Sequence, residues 1–170
     1  MEFLKESNDP GIVQKQFEAY RVYIESIRER LPSETLFFVT APWYYDTRHP
    51  QCPHDSWVEF LNISEMAERG DIQARHVDIH VRLLGAYHDG YIDLFYKRVR
   101  CYDLNAPANL QVMTKYRSGH GDWLIDEVRL SRDGLVIHEI AFSKGYTWTI
   151  ECESIDYQWT STNKFQLKSE

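Results

Sequence analysis

The 170-residue chain has only three cysteines and no long apolar segment. Cys52, Cys101 and Cys152 are far apart and odd in number, which excludes a disulfide framework and indicates reduced thiols in the cytoplasm. The charged N-terminal stretch is unlike a secretion signal, and no run of residues is long enough to cross a membrane. We therefore expect a cytoplasmic protein that has no membrane partner.

Common catalytic motifs are also missing. The sequence contains no glycine-rich phosphate loop, no Gly-X-Ser-X-Gly elbow, no paired Cys-X-X-Cys and no His-Glu-X-X-His. Basic residues are outnumbered, with 19 Lys and Arg against 26 Asp and Glu and a net charge of −7. This balance argues against nucleic-acid binding, and it favours either simple solubility or attraction of a basic partner. We expect no cofactor.

Aromatic residues, in contrast, are abundant at 14% of the chain. They suit both strands and binding surfaces. The length is sufficient for one domain with its own core, so we expect a single domain over residues 1–170.

Residues 9–31 have the pattern of an amphipathic helix. Asp9 suits the N-cap, Pro10 the first helical position, and Pro32 would end the helix. Apolar residues recur at alternating steps of four and three, and they form one stripe: Val13, Phe17, Tyr20, Ile24, Ile27 and Leu31. We expect this stripe to pack on a sheet.

The remainder, from about residue 35 to 160, has mainly strand signals. Beyond two hairpins, strands are predicted at 36–41, 57–63, 110–116, 146–152 and 155–160, with a polar connection at 65–71 and a frayed tail at 161–170. The predicted fold is α+β and mainly β. An N-terminal helix packs on a curved antiparallel sheet of about seven or eight strands, as a half-barrel, barrel or sandwich.

The second of the two hairpins turns at Asp-Gly 133–134. Only a three-residue loop that pairs Ser131 with Leu135 gives one consistently apolar face, with Gly134 at positive φ. Asp126 and His138 are the polar exceptions on that face, within reach of each other. They form either a catalytic acid–base pair or a mutually satisfied buried pair.

The first hairpin turns at Asp-Gly 89–90. The same loop pairs Tyr87 with Tyr91 and predicts positive φ at Gly90. It also predicts a cationic face flanked by aromatics, whose candidate ligand-binding residues are His76, His80, Arg82, Tyr96, Arg98 and Arg100. Arginine forks would suit a small anion there, and the alternative is a solvated face with cross-strand ion pairs.

Metal binding is a weaker hypothesis. His76, Asp78 and His80 share a strand face, but the neighbouring arginines would repel a cation. The loop at 49–55 offers three further candidate ligands, whose spacing matches no closed zinc pattern: His49, Cys52 and His54. We expect no metal.

Two functional hypotheses follow. In the first, the protein is not an enzyme and binds a partner, as an acidic inhibitor or immunity-like protein binds a basic protein. In the second, the curved sheet forms a pocket for a small anionic ligand, or for acid–base chemistry by Asp126 and His138. A concave cavity lined by Tyr, Trp, His and Arg would favour the pocket, and a filled interior with aromatics outside would favour the partner.

Overall fold

Two helices precede the strands. The computed structural model describes residues 1–5, 7, 9–105 and 119–162. Helix α1 spans Pro10–Ile27 and continues as a 3-10 turn over Arg28–Arg30, and α2 spans Ser33–Thr40. The strands are β1 Trp57–Glu68, β2 Asp71–Leu84, β3 Gly90–Val99, β4 Cys101–Leu104, β5 Trp123–Leu130, β6 Val136–Phe142, β7 Thr147–Cys152 and β8 Ser154–Ser161.

Within the described residues the strands form two antiparallel sheets of four strands each. Their orders are β1-β2-β3-β8 and β4-β7-β6-β5, with one isolated bridge between Trp57 and Asp122. The sheets do not close into a barrel. The predicted α+β, mainly β class with an N-terminal helix and antiparallel strands is confirmed. None of the described helices is long and apolar enough to span a membrane.

Helix α1 begins as predicted and packs through its C-terminal half. The Asp9 side chain accepts hydrogen bonds from two backbone N–H groups of the first turn, and Pro10 is the first helical residue. Tyr20, Ile24 and Ile27 are buried, and Leu31 is buried just beyond the 3-10 turn. The N-terminal end of the stripe, Val13 and Phe17, is only partly buried because it borders a cavity.

Ile24→Ala is expected to lower the free energy of unfolding by about 2–5 kcal/mol, because a buried side chain is removed and a cavity remains. Ile24 is 5% exposed, whereas Val22 on the same helix is 72% exposed. Urea denaturation of Ile24→Ala and of the control Val22→Ala checks this. Equal midpoints for the two variants would contradict docking of the helix.

The predicted strand at 36–41 is wrong, because residues 36–40 belong to α2 and Ala41 is its C-cap. Thr35, Phe38 and Val39 are buried while Phe37 is 62% exposed, which is helical and not strand spacing. A short apolar run suits both structures, so its periodicity could not decide between them. The Thr35 hydroxyl fixes α2 to β8 through hydrogen bonds with the backbone of Ile155.

The predicted turn of the first hairpin is wrong in register. Leu84 pairs with Tyr91, and the Gly85 N–H donates to the Gly90 carbonyl at 3.0 Å. Positive φ occurs at His88 and not at Gly90. Glycine is required at 90 for space, since a Cβ there would lie 2.3 Å from the ring of Trp159.

The second hairpin has the predicted loop. The Ser131 N–H donates to the Leu135 carbonyl at 2.8 Å, and Gly134 has a φ of 84°. The one difference is a bulge between Trp123 and Ile125. It puts Trp123 on the buried face, where strict alternation from Asp126 would put Leu124.

Other predicted boundaries shift. The connection at 65–71 is mostly the long β1–β2 hairpin, with Gly70 at its turn. The second strand of the first hairpin ends at Val99, and Cys101–Leu104 form β4 of the other sheet. The predicted strand at 110–116 lies outside the described residues, as does most of the predicted tail, although Ser161 ends β8.

Candidate functional site

The described residues border a cavity of about 610 Å³ beside the edge strand β5. Its walls come from the N-terminal segment, α1, the loop at 41–56, and strands β5 and β6. Most wall side chains are apolar or aromatic, namely Leu4, Val13, Phe17, Tyr44, Tyr45, Trp123, Leu124, Ile125, Ala141 and Phe142. This size and lining suit a small organic molecule.

A single carboxylate lies in this mainly apolar wall, on the described residue Asp126 of β5. Trp123 Nε1–H donates to Oδ1 at 2.9 Å, the Tyr44 hydroxyl donates to Oδ2, and His138 Nε2 lies 2.9 Å from Oδ2. The Tyr45 hydroxyl donates to the Asp126 backbone carbonyl at 3.2 Å. These partners offset the cost of burying a side chain that is about 5% exposed.

Strand register brings the polar groups together. Val128 pairs with His138, which places Asp126 diagonally across from the imidazole. The bulge between Trp123 and Ile125 then turns the indole onto the buried face, within reach of the carboxylate.

The loop at 41–56 supplies the tyrosines. It begins with a turn in which the Tyr44 N–H donates to the Ala41 carbonyl at 3.0 Å. Its other end is held on β5, because Asp55 N–H donates to the Trp123 carbonyl at 2.8 Å and Trp123 N–H donates to the Ser56 carbonyl at 3.0 Å. The loop is therefore fixed to the strand that carries Asp126.

The tyrosine hydroxyls of this network keep their hydrogens. Burial raises the pKa of Tyr44 and of Tyr45 well above its usual value, and the negative charge of Asp126 raises both further. Burial is also the main cause of a raised pKa at Tyr96. These shifts favour the protonated hydroxyl, which is a hydrogen-bond donor, at all three tyrosines.

The hydrogen-bond network also assigns the tautomer of His138. The Tyr96 hydroxyl lies 2.9 Å from Nδ1 and has no other acceptor among the described residues, so it donates to that nitrogen. The ring hydrogen is then on Nε2 and is donated to Asp126. Hydrogen bonds thus connect Tyr96 through the His138 ring to the Asp126 carboxylate.

The predicted contact between Asp126 and His138 is confirmed, but its surroundings favour a structural role. Both ring nitrogens are occupied, the residue is fully buried, and His138 is not in the cavity wall. A general base must reach a proton of the bound molecule, which this imidazole does not. Cys52 does line the cavity, but burial raises its pKa to about 12, which leaves little thiolate to act as a nucleophile.

Glu127 fixes another wall of the cavity. It is fully buried, and its carboxylate accepts hydrogen bonds from the backbone N–H groups of Glu2, Phe3 and Leu4, the last two at 2.9 Å. Arg129 Nε donates to the same carboxylate at 3.1 Å. Leu4, which lines the cavity, is thereby held against the sheet.

The predicted anion site is not assembled as expected, because the register differs by three residues. Arg82 pairs with Asp93 and not with Tyr96. Since an odd shift reverses the faces, Tyr96 lies in the core, opposite Ile79, and not beside the arginines.

The cationic candidates for that site each lie beside a carboxylate. Asp93 accepts a fork from Arg82 at 2.8 and 3.1 Å and lies 2.6 Å from His80 Nε2. Burial raises the pKa of Asp93, but these partners outweigh it and hold the pKa below its usual value. The other pairs are His76–Glu68, Arg98–Glu68, Arg100–Asp133 and Arg100–Glu151. This matches the alternative of a face with ion pairs.

The weak metal candidates have local partners. His49 Nδ1 accepts from Gln51 N–H at 3.2 Å, the Cys52 thiol donates to the Tyr44 carbonyl at 3.2 Å, and His54 lies beside Asp55. No group of three potential metal ligands occurs in the part of the chain that the structure describes.

Sequence reasoning missed most of the cavity wall. The consecutive aromatics Trp43, Tyr44 and Tyr45 were the available signal, since such a cluster in a loop has to pack somewhere. Trp123 was missed because the bulge was not foreseen. No signal singled out Glu127 as the anchor of the N-terminal segment.

Comparison of the chain with protein-family models, with curated proteins and with solved structures gives no match.

Proposed function

We propose that this protein binds a small, largely apolar molecule in the cavity beside β5. The observation that carries the proposal is an aromatic cavity of about 610 Å³ with one hydrogen-bonded carboxylate in its wall. Ligand sites in proteins are typically of this kind, mainly apolar with a few convergent polar groups.

The cavity supports the hypothesis of a ligand pocket over that of a filled interior and a protein partner. The pocket hypothesis changes in two respects. The ligand site is at the edge of β5 and not on the face that carries Arg82 and Arg98. The function is binding without catalysis, because His138 does not reach the cavity and Cys52 is a buried thiol.

Filling the cavity from α1 tests the proposal. Val13 lines the cavity, and Val22 on the same helix is 72% exposed, so Val22→Trp is a matched control for Val13→Trp. The neutral fluorescent probe N-phenyl-1-naphthylamine is expected to bind wild type and Val22→Trp alike, with at least tenfold weaker binding to Val13→Trp. Fluorescence titration checks this.

The circular dichroism and urea midpoint of each variant show whether its fold is retained. The proposal fails if the probe does not bind wild type, or if folded Val13→Trp binds it as tightly as Val22→Trp does.

A basic protein partner and a cytoplasmic location both stay predictions from the sequence. The acidic charge that motivates the partner is a property of the whole chain, and it does not select a surface.

A further inference from the structure

At the most buried part of the cavity wall, the side-chain hydrogen-bond donors already donate to acceptors within the protein. The hydrogens of Trp123 and Tyr44 go to the Asp126 carboxylate, and that of Tyr45 goes to the Asp126 backbone carbonyl. The thiol hydrogen of Cys52 goes to the Tyr44 carbonyl. All five of these residues line the cavity, so its wall is short of donors where it is most buried.

What remains in this part of the wall is acceptor capacity. An ionised carboxylate offers about four acceptor positions, and a phenolic oxygen can accept while it donates. The Asp126 carboxylate has three partners, namely Trp123, Tyr44 and His138, which leaves a position on Oδ1. The oxygens of Tyr44 and Tyr45 keep lone pairs as well.

The charged group in this part of the wall is a carboxylate. No Lys or Arg of the described chain forms an ion pair with Asp126, whose one ion-pair contact there is with the imidazole of His138. Donors and cationic groups do occur elsewhere in the wall, on residues that are more exposed than Asp126: the N-terminal ammonium of Met1, which is paired with Glu139, and Lys5, Ser7, Gln16, Thr47, His54 and Thr147. Electrostatic interactions are stronger in the buried part, where less water screens them.

We propose that the ligand carries a protonated primary amine on an apolar body, with the amine at Asp126 and the tyrosines. This rests on the proposed binding function and names the class of molecule that it serves. An ammonium group supplies three hydrogens and no lone pair, which complements a wall of acceptors, and aromatic rings also attract cations. A carboxylate of the same shape would place its oxygens against acceptors that have no hydrogen to share.

The experiment uses three probes with one phenyl body: 2-phenylethylamine, 2-phenylethanol and 3-phenylpropionate. Isothermal titration at pH 7 is expected to give at least tenfold tighter binding of the amine than of the carboxylate, with the alcohol between them. Equal or tighter binding of the carboxylate by wild-type protein overturns the proposal.

Two variants test whether Asp126 and Tyr44 determine the preference for the amine over the carboxylate. Asp126→Asn replaces a charge and an acceptor by an amide that also donates, so the preference for the amine should fall below threefold. Tyr44→Phe removes one phenolic acceptor but keeps the Asp126 carboxylate and frees a second acceptor position on it, so a preference of more than threefold should remain. Tyr102→Phe is the matched control and should behave as wild type, since Tyr102 is 45% exposed on β4 and does not line the cavity.

The outcomes separate the two proposals. If no phenyl probe and no N-phenyl-1-naphthylamine binds, the binding function itself fails. If the probes bind without preference for the amine, the cavity is a binding site but the amine assignment is wrong. If Asp126→Asn does not fold, loss of the preference in Tyr44→Phe overturns the assignment instead.

Discussion

Asp126→Asn is expected to lower the free energy of unfolding by about 3 kcal/mol, although the two side chains have nearly the same shape. The carboxylate accepts from Trp123 and Tyr44 and from His138. An amide keeps only one acceptor oxygen and turns N–H hydrogens toward groups that are themselves donors. At least one buried donor is therefore left without a partner.

His138→Gln should also destabilise, and the double variant should cost less than the sum of the two single changes. The reason is that the Asp126–His138 bond can be lost only once. Urea denaturation of the four proteins measures the coupling. Asp103→Asn on β4 is the control, since Asp103 is exposed, and it should change stability by less than about 0.5 kcal/mol.

Additive effects of Asp126→Asn and His138→Gln would mean that their contact contributes nothing to folding. Unchanged or increased stability on removing the pair would instead favour the catalytic alternative, because active sites commonly trade stability for activity.

Glu127→Ala is expected to destabilise the protein by about 3 kcal/mol, because the buried N–H of Leu4 and the less buried N–H groups of Glu2 and Phe3 lose their acceptor at once. The segment can recover hydrogen bonds only by leaving the sheet, and Leu4 would then lose its burial. Amide hydrogen exchange should show loss of protection at Phe3 and Leu4 in the variant.

Glu65→Ala is the matched control for that experiment. Glu65 is also a strand residue, but its side chain is 65% exposed and has only a 3.5 Å contact with Arg75. Such a surface pair contributes little. Equal stability of the two variants, or retained protection at Phe3, would contradict the role given to Glu127.

The two hairpins show where sequence reasoning succeeds. In the second, the apolar face is nearly continuous, and only one loop length preserves it, so the position of Gly134 and the meeting of Asp126 with His138 could be predicted. The first has apolar residues next to each other around its turn, and it bulges where Asp78 contacts both Lys97 and Arg98. The alternation of apolar and polar residues in the first hairpin could not determine the register of β2 and β3.

The cavity could not be predicted from the hydrophobic periodicity of the sequence. Its wall combines a helix, a loop, an N-terminal segment and a sheet edge, which meet only in three dimensions. Patterns within one element predict which face is buried, and they do not predict where packing between elements is incomplete. The partial burial of Val13 and Phe17 is the visible sign of that gap on α1.

Part of the acidic character of the chain lies on the long edge strand β1. It is an edge strand whose described partner along its length is β2, and Phe60, Ile63 and Met66 are each at least 40% exposed on it. Such an edge invites sheet extension by another molecule. Its twelve residues include three Glu and no Lys or Arg. Glu65 and Glu68 contact arginines of the same sheet, and Glu59 adds a further negative charge, so a charged edge of this kind disfavours pairing with a second copy. Negative charge on this edge strand therefore disfavours aggregation by edge-to-edge pairing.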